Sequence, residues 1–172
     1  MPNDAVFNPS SQPLYTEQVN TYVTPGVASF PEADAAQSGL FFAIPFASIV
    51  TTAAPLVLQV FNPAGSGRTA YISRVTASTA TSPVTLTLLR NATVGGATIT
   101  PVNFNFGSAV ASVMTARTAT AAPLTSLLLA AGPVIVELNG RIIVPPGNSL
   151  TITLTISTGS SAATGGISWW EY

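Results

Sequence analysis

The stretch Thr151-Ile-Thr-Leu-Thr-Ile-Ser-Thr158 alternates without a break, with Ile152, Leu154 and Ile156 on one side and hydroxyl-bearing residues on the other. A period of two is the repeat of a pleated strand, whereas a helix would place its apolar residues three and four apart. This stretch is therefore expected to be a strand buried on one face only.

The same period recurs upstream, each time behind a proline. Pro55 leads Leu56, Leu58 and Val60; Pro83 leads Val84, Leu86 and Leu88; Pro101 leads Val102, Phe104 and Phe106; Pro133 leads Val134, Val136 and Leu138. Proline is tolerated at the first residue of a strand, where its missing N–H costs no ladder bond. The prolines are irregularly spaced, so the pattern is not a solenoid repeat.

Turn signals separate the strands: Gly65-Ser-Gly67, Gly95-Gly96, Asn139-Gly140, Pro145-Pro-Gly-Asn148 and Gly165-Gly166. Asn139-Gly140 is the strongest, because a type I′ turn needs positive φ at both central residues. A tight hairpin is expected between Val134–Leu138 and Arg141–Val144. Many short strands with such punctuation make the fold all-β, an antiparallel β-sandwich of jelly-roll type.

Residues 1–38 read as a separate unit, an extended N-terminal arm ahead of a sandwich domain at 39–172. Pro2, Pro9, Pro13, Pro25 and Pro31 lie there among Asn, Ser, Gln and Thr, which cannot bury enough to fold alone. Widely spaced aromatics suit docking into pockets of a neighbouring subunit, and Tyr15, Tyr22 and Phe30 are the expected assembly contacts. A helical turn fits residues 32–37.

Charged residues make up 6% of the 172-residue chain, against about 25% in an ordinary soluble domain. The five cations are all arginine, and Lys, His and Cys do not occur. Disulfides, thiolate nucleophiles, imidazole bases and His/Cys metal sites are thereby excluded. A net charge of -1 offers no basic footprint for nucleic acid. Weak self-repulsion favours association, so a surface covered by copies of itself is expected.

The mean hydropathy of +0.48 is high, yet the longest apolar run, 40–50, carries Pro45 and falls short of the roughly 18–20 residues of a spanning helix. It reads as a core strand, and no membrane insertion is expected. The start, Met1-Pro-Asn-Asp-Ala-Val-Phe, does not have the basic and apolar regions of a signal peptide. The expected route is synthesis in the cytoplasm and release by assembly or lysis.

Three features could suggest chemistry. Asn62-Pro-Ala-Gly-Ser-Gly-Arg-Thr69 lies near the phosphate-binding pattern GxxxxGK[ST], but it lacks the first Gly and the Lys. It is followed by β-branched and aromatic residues rather than a helix, so a turn is expected. Glu32, Asp34, Glu137 and Glu171 are scattered, which suits ion pairs with arginine better than the paired carboxyls of glycoside cleavage. Hydroxyls without a His or Lys base are not activated nucleophiles. No catalytic, cofactor or metal site is expected.

Trp169-Trp170 is the third feature. Adjacent strand residues point to opposite faces, so one indole should enter the core and the other should face outward. An outward Trp could stack on a sugar; subunit contact is preferred, and both are held as assembly-interface candidates.

Taken together, Asn62–Val75, then Leu89-Arg-Asn-Ala-Thr-Val-Gly-Gly-Ala-Thr-Ile-Thr-Pro-Val-Asn103, then Ile143-Val-Pro-Pro-Gly-Asn-Ser-Leu-Thr-Ile152 resemble the small β-sandwich structural proteins of tailed bacteriophages and prophages, over roughly residues 56–172. The chain also resembles subunits of bacterial spore appendages and exosporium tips, in which an arm inserts into the next subunit. These resemblances imply a non-enzymatic structural subunit of a virion or surface assembly, partnered by itself and other structural proteins. A glycan- or receptor-binding module of a phage fibre is the alternative.

Overall fold

The alternating segments become two antiparallel sheets packed face to face in the computed structural model, which describes residues 31–81, 83–117 and 125–172. The first sheet runs in the order β6 (Val102–Asn103), β1 (Phe41–Thr51), β11 (Ser160–Glu171), β3 (Ala70–Thr79), β9 (Gly132–Val144). The second runs β5 (Thr98–Ile99), β7 (Thr115–Arg117), β2 (Leu56–Phe61), β10 (Ser149–Thr155), β4 (Val84–Arg90), β8 (Thr125–Leu129). The protein is thus an all-β sandwich. Among the described residues no helix is long and apolar enough to cross a membrane.

From β1 to β4, and again from β8 to β11, each connection crosses from one sheet to the other. The inward faces then meet in one core, with Leu56, Leu58, Ile152 and Leu154 from the second sheet against Ile44, Ile72, Ile167 and Trp169 from the first. Each such side chain, fully buried, contributes about 1.5–3 kcal/mol.

The expected hairpin at Asn139-Gly140 does not form. Strand β9 continues through both residues because β3 runs alongside its two halves: Ile72 pairs with Ile142, and Arg74 with Glu137. Residues 138–141 therefore stand opposite Ser73 alone, as a wide bulge. Both residues do take the positive φ of a type I′ turn, 49° and 75°. The dihedral preference was legible, but the distant partner strand decides whether such a site reverses the chain or only bends it.

Gly165-Gly166, expected as a turn, lies inside β11, where the two residues pair with Phe46 and Pro45 of β1, and two further expectations are corrected. The phrase after Pro101 yields a strand of two residues, because Asn103 Oδ1 accepts from the Asn105 N–H at 2.8 Å and Asn105 Oδ1 accepts from the Gly107 N–H at 3.1 Å. Those side chains mimic a turn and end the ladder, which leaves Phe106 90% exposed. In β10 the threonine face is buried as well as the apolar face. Gln59 Nε2, from the neighbouring strand, shares its two N–H groups among Thr151 Oγ1 at 2.9 Å, Ser149 Oγ at 3.2 Å and the Ala92 carbonyl at 2.8 Å, which gives the buried hydroxyls of Thr151 and Ser149 a partner.

Within the segment expected as an arm, α1 (Pro31–Gln37) packs on the outer face of the first sheet. Its Ala35 is buried against Phe41 and Trp170, and Glu32 accepts from Ser73 Oγ at 2.6 Å. Tyr15, Tyr22 and Phe30 lie outside the described residues.

Candidate assembly surface

The loop that resembled a phosphate cradle connects β2 to β3, both in sheets, and its polar groups are turned inward. Asn62 is buried; its Nδ2 donates to the carbonyls of Arg68 at 2.8 Å and Val144 at 2.9 Å, while its Oδ1 accepts from Ser66 Oγ at 2.5 Å. The Asn62 N–H donates to the Asn148 carbonyl, and the Gly147 N–H donates back to the Asn62 carbonyl. The glycine loop and the Pro145–Asn148 turn are thereby tied together. The backbone donors of Asn62, Ser66, Arg68 and Thr69 are spent on the fold.

Beside this loop Arg68 reaches Glu171 at 3.3 Å. Glu171 is fully buried and also accepts from Ser112 Oγ, the Val113 N–H and, at 3.1 Å, Trp169 Nε1. A carboxylate with four partners holds β11, the β2–β3 loop and the segment before β7 in place. Two further ion pairs among the described residues centre on Arg74, with Glu32 of α1 at 3.6 Å and Glu137 of β9 at 3.8 Å. Glu32, Glu137 and Glu171 thus each meet an arginine.

The two tryptophans do point to opposite faces, but the outward one is not exposed. Trp169 lies in the core at 6.2 Å, centroid to centroid, from Phe42. Trp170 is only 5% exposed because α1 roofs it, Tyr71 stacks on it at 5.8 Å and Gly140 presses against its edge. Neither indole stands out as a contact for sugar or for a neighbour. The period of the strand predicted their directions; the roof came from a helix more than 130 residues earlier in the chain.

The apolar surface lies elsewhere. Leu128 is 82% exposed on β8, and Ile135 and Ile143 are 61% and 54% exposed on β9, the edge of the first sheet. The outer face of that sheet is paved with small side chains, Ala43, Pro45, Gly166 and Thr76 among them, and Val102 and Phe104 form a rim. A groove of about 490 Å³ crosses this face between the rim and Arg74. Two buried atoms along it, Ser168 Oγ and Arg74 Nε, have no hydrogen-bond partner among the described residues. Left so, each costs about 1–3 kcal/mol. Sequence reasoning passed over Asn62 and Ser73, and expected of Glu171 only an ion pair with an arginine, because their full sets of partners are remote in the chain.

Compared with protein-family models, curated proteins and solved structures, the chain finds no match in any of the three.

Proposed function

We propose that the protein is a non-enzymatic structural subunit that associates with copies of itself into a virion or extracellular surface assembly. The observation that carries this reading is the set of large apolar side chains, Leu128, Ile135 and Ile143, standing in solvent on a chain with few charges. Such patches mark surfaces that are covered in use. The order β1-β11-β3-β9 in one sheet and β2-β10-β4-β8 in the other supports the jelly-roll form of the sandwich, an architecture that viral capsid and lectin domains share.

Edge protection points the same way. Lysine, the usual guard of an open edge, is absent from the chain, and the bulge at residues 138–141 interrupts the ladder that β9 could offer to another strand. Side-chain contact through Ile135 and Ile143 is then the favoured mode, with residues 1–30 available as a further contact. Sedimentation velocity and negative-stain microscopy of the full chain test the proposal. A particle of many copies is expected, and a monomer at every accessible concentration overturns it.

A further inference from the structure

Strand β8 closes one end of the second sheet. Among the described residues it pairs on one side only, with β4, in an unbroken register from Val84 opposite Leu129 to Leu88 opposite Thr125. Alternate N–H and C=O groups along its other side therefore have no strand partner there. Leu127 stands opposite Leu86, which is buried in the core, so it too points between the sheets. It is nevertheless 41% exposed. An inward-facing leucine in solvent marks a core left open along this flank.

The other described edges are poorer templates. Strands β5 and β6 have two residues each, β9 is interrupted by its bulge, and the open part of β1 carries Pro45, which has no N–H to offer. What fits β8 is another strand, and its charge is compatible with a second copy of itself. A charged residue on such an edge would oppose its own like charge across a two-fold axis. No charged residue occurs between Arg117 and Glu137, so two β8 strands meet without repulsion. A two-fold axis also sets identical strands antiparallel, the direction in which β8 already pairs with β4.

We propose that two copies of the chain join β8 to β8, antiparallel about a two-fold axis, so that their six-stranded sheets become one and the Leu127 side chains of the two copies close the open flank. Main-chain hydrogen bonds hold the seam, as in strand addition to a sheet edge. Ile135 and Ile143, on the outer face of the other sheet, stay free for contacts between such dimers. The inference rests on the self-association proposed above and adds its mode: the unit of assembly is a symmetric dimer.

Hydrogen exchange of the full chain across a dilution series tests it. The edge-facing amides among residues 125–129 are expected to exchange at least about tenfold more slowly in the associated protein than in the diluted monomer. The β10 amides, held by strands on both sides, should stay protected throughout. The chain has no cysteine, so single-cysteine variants give a second reading without background. Residues near a two-fold axis face their own copies at disulfide range, so one of Ser126→Cys, Leu127→Cys and Leu128→Cys should cross-link two chains at least about tenfold faster than Ser48→Cys on β1 or Ile135→Cys on β9. Association with β8 amides no slower, or with the fastest cross-link at Ser48 or Ile135, overturns the β8 seam and leaves self-association standing. Protection of β8 that is equal at every concentration means that the edge is covered within one copy, and it overturns the seam as well. A monomer at every concentration overturns both.

Discussion

Gly140 combines two demands that only glycine meets. Its φ is +75°, and a Cβ there would lie 2.7 Å from Trp170 Cη2. Gly140→Ala is therefore expected to lose about 2–4 kcal/mol of stability in urea unfolding, from left-handed strain plus displacement of the indole. Glu171 is the second residue with a large single effect. Glu171→Ala strands Trp169 Nε1–H, Ser112 Oγ and Arg68 together, and a loss of about 3 kcal/mol is expected by the same measurement. Neither role was legible locally. Asn139-Gly140 announced positive φ and Glu171 was expected to pair with an arginine, but nothing local showed that the arginine would be Arg68, over 100 residues away, or that Trp169 and Ser112 would join it.

At the scale of elements, α1 shows how a short helix is held by tertiary contacts. Seven residues are too few for a stable isolated helix, so its order comes from Ala35 packed on Phe41 and Trp170, and from Glu32 bound to Ser73 and Arg74. Ala35→Glu should undock it. In a Trp169→Phe background the fluorescence of Trp170 is expected to shift to the red, with a loss of about 1–3 kcal/mol; an unchanged spectrum would show that something other than α1 shields the indole. Strand β1 is instructive in a different way. It carries Pro45 mid-strand, and β6 pairs only with Phe42 and Ala43, so beyond them β1 is an edge where a missing N–H is cheap. The strands led by Pro55 and Pro83 begin where the sequence placed them, directly after the proline.

The whole molecule presents apolar side chains at its edges and few charges anywhere, which sets how the proposed assembly is expected to behave. Association through Leu128, Ile135 and Ile143 should survive about 1 M NaCl, because screening touches only charge pairs, and should strengthen in ammonium sulfate. Light scattering across both salt series measures this, and dissociation by NaCl alone would contradict an apolar interface. Leu128→Asp with Ile135→Asp should weaken association about tenfold or more while the unfolding midpoint stays nearly unchanged, since both side chains are exposed. By itself the sequence determined the class of fold, because the period of two and the prolines and glycines between strands act over neighbouring residues. Its composition also removed thiol and imidazole chemistry, since neither Cys nor His occurs in the chain. Only the tertiary structure decided that Asn139-Gly140 bulges instead of turning, that both tryptophans are covered, and that Asn62, Arg68 and Glu171 form one lock. The reason is physical: backbone preference is a local property, whereas burial and hydrogen-bond partnership are settled by whichever distant strand arrives alongside.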